Sequence, residues 1–390
     1  MQHALLGASK AGQWINCPPS ARLQESVPEN PSEYAEEGTV AHELAEIKLR
    51  RRVLLCNSQQ RKILDAKYEK IKTNPFYGPE MEQAVQEYVE LVEERVMAAK
   101  ARSSDAVILP EEHLDYSDWV EEGFGTGDVV LISDGVLEVI DLKYGKGVPV
   151  SAYNNPQPRL YGLGAWAGYN YLYSIDEVYM TIIQPRLDSV STDIMPIADL
   201  IDWADSVVKP AAVLAFAGEG DYRAGDHCRW CKVKGNCRAR ADENMKALAH
   251  EFKDPALMSN EEIGSILFIT EQLKVWAKDV EEYASGQALK GNSIPQWKLV
   301  EGRSNRSISD KDAAIKALKA TELGTDKFLK PEELLGIGEL EKRLGKKEFA
   351  ALLGSWIVKP PGKPTLAPET DTRPAMNSVE NDFANIDMGD

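Results

Sequence analysis

Apolar residues first recur at helical spacing in residues 35–55, where Val40, Leu44, Ile47 and Leu54 fall on one face. A shorter helix is expected over residues 9–17 with Ser9 as its N-cap, and a polar, glutamate-rich one over residues 79–102. The pattern then changes to strands. Residues 105–115 read as one strand, and residues 126–132 and 136–142 alternate as two more around the turn signal Ser133-Asp134-Gly135. Residues 155–168 return to helix, with Pro156 and Pro158 restricting the first turn. Residues 177–184 form a β-branched strand ended by Pro185, and residues 198–217 are helical again. This order predicts an α/β core: a central mixed sheet flanked by helices. A cysteine-bearing segment, 226–238, closes that core. Helices at about 240–252, 260–289, 309–320 and 331–353 predict a mainly helical C-terminal region. The chain thus divides into residues 1–240, 241–358 and 359–390. The last of these is a proline-rich linker and an acidic end expected to be disordered.

The hairpin carries the chemistry. Asp128 and Asp141 come from its two arms, so their carboxylates can share one face at one end of the sheet. Lys143 is two residues beyond Asp141 and therefore on the same face. Phosphodiester hydrolysis needs a cation to bind the phosphate, neutralise charge and acidify the attacking water. Two carboxylates supply the hard oxygen ligands that Mg²⁺ or Mn²⁺ takes, and the lysine can orient water and stabilise developing charge. Gly145 and Gly147 follow, leaving room for close backbone approach. Glu43 reads as solvated helix face and Glu46 as a residue supporting a ligand from behind.

Four segments occur in order: Gly38-Thr39-Val40-Ala41-His42, Gly125-Thr126-Gly127-Asp128, Glu138-Val139-Ile140-Asp141-Leu142-Lys143-Tyr144-Gly145, and Gln157 followed by Tyr161. They resemble motifs I, II, III and QxxxY of the RecB-like branch of the PD-(D/E)XK nuclease superfamily, over roughly residues 1–240. The resemblance implies a restriction-endonuclease-like core and a metal-dependent deoxyribonuclease, with exonuclease action expected in phage DNA recombination, replication or repair. It implies that His42, Asp128 and Asp141 bind the metal, that Asp128, Asp141, Lys143 and Gln157 form the catalytic centre, and that Tyr161 contacts DNA. The rival expectation is a catalytically silent DNA-binding or adaptor protein that keeps the fold. The segments Trp14-Ile15-Asn16-Cys17-Pro18 and Lys359-Pro360-Pro361-Gly362-Lys363-Pro364 make the whole chain similar to an uncharacterised RecB-like family common in bacteriophages and prophages.

Three of the five cysteines, Cys228, Cys231 and Cys237, fall within ten residues as C-x2-C-x5-C, and Cys17 stands far upstream. Clustered thiols in a reducing compartment point to metal rather than disulfides. Four thiolates suit an iron–sulfur cluster; His227 with the three clustered cysteines would suit zinc instead. One remote cysteine ahead of three clustered ones resembles the iron–sulfur staple of AddB-type helicase-nucleases and CRISPR-associated RecB-like nucleases, which implies a structural [4Fe–4S] cluster. Cys56 reads as a buried free thiol.

The balance of 45 basic and 62 acidic residues gives a net charge of −17. That excludes a basic, sequence-independent DNA coat but not a nuclease with one local basic groove. No stretch reads as a membrane span or secretion signal, so a cytoplasmic protein is expected, in the host cell if phage-encoded. No phosphate-loop motif for ATP is present, so unwinding would fall to a separate helicase. A single-strand-binding or annealing protein is the other candidate partner. Lys298, Arg303 and Arg306 around Trp297 suit single-stranded nucleic acid, or else an exposed strand with one core tryptophan. Residues 334–345 loosely resemble a helix-hairpin-helix turn, with Lys342, Arg343, Lys346 and Lys347 forming a basic patch. The acidic end, with Phe383, Ile386 and Met388, is reminiscent of the tails of single-strand-binding proteins.

Overall fold

The structure is a computed structural model that describes residues 4–28, 33–54, 56–246, 259–297 and Gly345. Apart from Gly345, the expectations for residues 298–390, including the basic stretch beyond Trp297, the hairpin-like turn, the linker and the acidic end, lie outside the described residues.

Five strands form one mixed sheet in the order β1-β2-β3-β4-β5: β1 (Val107–Asp115), β2 (Phe124–Ser133), β3 (Gly135–Leu142), β4 (Ile175–Gln184) and β5 (Ser189–Pro196). All neighbours are antiparallel except β3 and β4, which run parallel. A parallel pair needs a crossover. Here it is helix α6 (Pro156–Tyr169), labelled after α1 (Ala11–Asn16), α2 (Ser20–Leu23), α3 (Glu33–Val53), α4 (Ser58–Lys72) and α5 (Pro79–Arg102). Among the described residues, four further α-helices follow: α7 (Ile197–Trp203), α8 (Lys209–Ala217), α9 (Arg238–Met245) and α10 (Asn260–Leu289).

Alternation along the strands divides the core in two. Val130, Ile132, Leu137 and Val139 face one side, packing with Trp14 of α1, Leu160 and Leu163 of α6, and Leu200 of α7. Val129, Leu131, Ile140 and Leu142 face the other, packing with Leu44 and Ile47 of α3 and Val85 and Val89 of α5. The predicted α/β core with a mixed sheet flanked by helices is therefore what forms. The predicted faces of α3 hold too, since Val40, Leu44 and Ile47 are all buried.

Several expectations need correction. The N-terminal helix is not capped by Ser9: a single 3-10 turn at Ala8–Lys10 precedes α1, and Lys10 at its start makes no side-chain capping bond. Helix α4 was not foreseen because only Leu64 and Ile71 of it are buried, too sparse an apolar stripe. It is set instead by a capping box between Asn57 and Gln60. Strand β5 was missed because its polarity is inverted. Val190 and Ile194 are about half exposed, while Ser191 and Asp193 turn back to accept the amides of Ala152 and Asn154. Cys56 is half-buried rather than buried, its thiol donating to the Arg50 carbonyl at 3.2 Å. Trp297 is 80% exposed and is no core tryptophan.

The turn joining β1 to β2 is closed around Gly123, whose amide donates to the Val120 carbonyl at 2.7 Å. A Cβ there would meet that carbonyl at 2.6 Å and the Tyr116 ring at 2.7 Å. Gly123→Ala is expected to cost about 1–3 kcal/mol, the range for overpacking. A thermal melt matching wild type would contradict this.

Candidate active site and cysteine lobe

The ladder registers put three carboxylates in one row. Val129 pairs with Ile140 and the β2–β3 ladder ends there, so Asp128 and Asp141 are the next facing residues. On the other side Pro110 pairs with Val129 and Glu112 with Gly127, which leaves Glu111 opposite Asp128. Adjacent strands are about 4.8 Å apart, so Glu111, Asp128 and Asp141 run side by side across three strands. Where the backbone ladder stops, the Asp128 side chain replaces it: Oδ2 accepts the Leu142 amide at 2.6 Å.

The sequence-predicted residues form two hydrogen-bonded groups side by side, His42 with Asp128 and Lys143 with Asp141, Gln157 and Tyr161. His42 projects from α3, with Nδ1 2.9 Å from Asp128 Oδ1. The Lys143 ammonium donates to Gln157 Oε1 at 2.8 Å and pairs with Asp141 Oδ2 at 2.8 Å. Gln157 Nε2 donates to Asp141 Oδ1 at 3.1 Å and lies 3.5 Å from the Tyr161 hydroxyl. Local sequence explains the placement of Gln157. Asn155 caps α6 by accepting the Gln157 amide, and Pro156 occupies the first helical position, where its missing N–H costs nothing. Tyr161 is buried, its ring against Gly125, where a Cβ would lie 2.7 Å from a ring carbon. The loop beyond Lys143, containing Gly145 and Gly147, is fastened by Gln184 Nε2 donating to the carbonyls of Gly145 and Val148.

Electrostatically this is a crowded anionic pocket. Burial pulls the His42 pKa down, but the charge and hydrogen bond of Asp128 outweigh it and lift it to about 9. Burial pushes Asp128 up, yet His42, the Leu142 amide and Lys143 hold it below the usual carboxylate range. Asp141 goes the other way: burial raises it, Lys143 only partly offsets that, and the Asp128 charge adds to the rise. Its Oδ2 is buried and faces the lysine charge but receives no well-directed hydrogen bond.

Glu111 was missed by the sequence reading, which placed a strand there without its register. Burial, followed by the charge of Asp128, lifts its pKa to about 7. Its carboxylate, the His42 imidazole and the Asp128 carboxylate offer donor atoms all within 4.8 Å of one another. Glu46 does not back His42 directly. It accepts from Arg50 Nε at 2.7 Å, and Arg50 Nη2 donates to the Pro110 carbonyl at 3.0 Å, beside Glu111. Glu43 is exposed, as expected.

The second predicted cluster also comes together. Cys17 at the end of α1, with Cys228, Cys231 and Cys237, lines one small cavity together with His227 and Arg240. Burial, with the neighbouring thiols adding to it, pushes Cys231 up to about 11. His227 is raised by its hydrogen bond to Cys17. Polar contacts fasten the two chain segments beside the thiols. Gln24 accepts the Lys232 amide at 2.9 Å, and Arg22 donates to the Phe216 carbonyl at 2.7 Å. Helix α10 docks on this lobe through Asp279, which pairs with Arg240 at 2.6 Å and Lys234 at 3.0 Å.

Among the described residues, no helix is long and apolar enough to cross a membrane. The chain is similar to a solved structure titled "Crystal structure of SSO0001", at 16% identity, covering 59% of this chain and 96% of that one, with a TM-score of 0.21. So distant a likeness adds nothing to the reading of the site. Residues 3–374 match a family model described as "Protein of unknown function (DUF2800)", and the chain belongs to that family.

Proposed function

We propose that the protein is a Mg²⁺- or Mn²⁺-dependent DNA nuclease of the RecB-like PD-(D/E)XK type, acting as an exonuclease. The observation that carries this reading is the convergence of His42, Asp128, Asp141, Lys143 and Gln157, drawn from α3, β2, the end of β3 and α6, into two adjoining hydrogen-bonded groups. The donor set fits a hard divalent cation: carboxylate oxygens, one imidazole, and a buried Asp141 oxygen that faces only the Lys143 ammonium among the described residues. His42, Asp128 and Asp141 would hold the ion. Bound there, a divalent cation supplies charge neutralisation at the phosphate and acidifies water.

The chain's own groups do the rest. Asp128 is kept ionised by His42 and the Leu142 amide. Gln157 holds both Lys143 and Asp141, and so fixes the ammonium beside the carboxylate. From that position Lys143 can place a proton-bearing group against a phosphate oxygen and stabilise charge as it develops. The Tyr161 hydroxyl offers Gln157 Nε2 a further acceptor at 3.5 Å. In this reading the four cysteines hold a [4Fe–4S] cluster that staples the N-terminal helices to the segment after α8, with a role in structure and DNA positioning.

The test is cleavage of end-labelled linear DNA and of closed circular DNA by full-length, anaerobically purified protein, with Mn²⁺ or with EDTA. Linear DNA degraded from an end, circular DNA spared and no cleavage in EDTA is the expected result. Absence of metal-dependent cleavage on both substrates would overturn the nuclease reading in favour of a DNA-binding adaptor.

A further inference from the structure

We propose that Glu111 is a direct ligand of the divalent cation, completing with His42 and Asp128 a coordination site that the sequence motifs leave one carboxylate short. The assignment rests on reading this pocket as a cation site, but not on its cutting DNA.

Three observations converge on it. The first is placement. Glu111 occupies the row of Asp128 and Asp141, one strand further out, and its donor atoms join those of His42 and Asp128 within 4.8 Å. Among the described residues its carboxylate has no hydrogen-bond or ion-pair partner, although it stands beside a second, ionised carboxylate. His42 pairs with Asp128 and only partly offsets the repulsion between the two close carboxylates, and a divalent cation would reverse the sign of that interaction.

The second is backbone conformation. Glu111 has a φ of +54°, in the left-handed region that a non-glycine residue enters at a cost. The neighbouring chain is pinned in that course. Arg50, itself held by Glu46, grips the Pro110 carbonyl, and Pro110 resumes regular pairing with Val129. An ordinary extended strand would satisfy the ladder at this position. The structure instead interrupts the ladder at the one residue whose side chain joins the pocket.

The third is independent of the acidic cluster. The Tyr88 hydroxyl, on the inward face of α5, is buried and has no hydrogen-bond partner among the described residues. It lies within electrostatic reach of Asp128, Asp141 and Glu111 together. A buried hydroxyl without a partner is rare and costly. Water carried into the pocket with a cation provides the acceptor that this hydroxyl lacks.

The decisive measurement is Mn²⁺ binding, by calorimetry and by the electron paramagnetic resonance of free Mn²⁺. It compares full-length wild type, Glu111→Gln and Glu43→Gln, each freed of divalent cations beforehand. Glu43 is exposed on the same helix as His42 and serves as the control. Glu111→Gln is expected to weaken binding by at least about tenfold, the loss caused even by an outer partner of a ligand, while Glu43→Gln binds as wild type. The metal-free Glu111→Gln protein is expected to melt no lower than wild type, because burial and the Asp128 charge outweigh the attraction of His42 and Arg50 for this carboxylate; this separates lost ligation from lost folding. Wild-type affinity in Glu111→Gln, or no Mn²⁺ binding by wild type, would overturn the proposal. Binding that depends on Glu111 in a protein that cuts no DNA would uphold the ligand and sink the nuclease reading alone.

Discussion

Replacing Lys143 with alanine is expected to slow DNA cleavage roughly 100- to 1,000-fold while leaving the fold and the affinity for Mn²⁺ intact. The ammonium is fixed twice, by Gln157 Oε1 and by Asp141 Oδ2, each at 2.8 Å, and its side chain keeps 25% of its surface open. A preorganised charge that remains accessible is what a phosphate oxygen needs, since no reorganisation is required as charge develops. Removing it deprives the buried Asp141 of its main stabilising charge and so raises that carboxylate's pKa further. The same removal takes a positive charge away from the cation pocket, which offsets the proton that the metal must displace from Asp141, so Mn²⁺ affinity changes little. Loss of a ligand such as Glu111 instead weakens binding, and the pair of variants therefore separates chemistry from metal capture. Lys143→Arg is not expected to rescue, because a planar fork cannot occupy a position shaped for a compact ammonium between Gln157 and Asp141. Single-turnover cleavage of end-labelled linear DNA measures the effect. A Lys143→Ala rate within tenfold of wild type would remove the lysine from the proposed chemistry.

The residues of this pocket were legible in sequence to the extent that their spacing was local. Asp141 and Lys143 share a strand, and Gln157 and Tyr161 share a helix, so period alone places each pair together. Asp128 and Asp141 come from one hairpin whose turn is marked by Asp134-Gly135, with Gly135 at φ +71°. Glu111 was not legible because its role depends on the register of β1 against β2 and on one left-handed residue, and neither leaves a periodic signal. The same holds for β5. Its polar residues point inward to satisfy the amides of Ala152 and Asn154, so a rule that reads apolar as inward fails there. Burial misled at Trp297, where a tryptophan in a turn was weighed as core. Proximity between Cys17 and the three later cysteines was anticipated only through resemblance, since no local pattern links residues two hundred positions apart.

That separation sets the size of the second large effect. Cys17→Ser is expected to abolish cluster assembly and to lower stability by about 5 kcal/mol, the loop-closure contribution of a cross-link spanning some two hundred residues. The contacts that remain between the two segments are modest. Gln24 to the Lys232 amide and Arg22 to the Phe216 carbonyl and ring are partly exposed and contribute about 1 kcal/mol each. Without the cross-link, the three remaining sulfurs stay in a small cavity, among them Cys231, whose thiol burial makes hard to ionise. Bound iron would reverse that penalty by holding the sulfurs as thiolates, so assembly and folding are coupled. The loss also reaches α10, because Arg240, which lines the cysteine cavity, is the residue that Asp279 of α10 grips. Anaerobic purification of wild type is expected to give a brown protein with four irons per chain. Cys17→Ser should be colourless and should unfold at lower denaturant concentration. A colourless wild type carrying one zinc would keep the cross-link but overturn the cluster. A metal-free wild type whose unfolding midpoint Cys17→Ser matches would show that the four thiols hold nothing, and that the N-terminal helices are kept in place by Arg22, Gln24 and apolar packing alone.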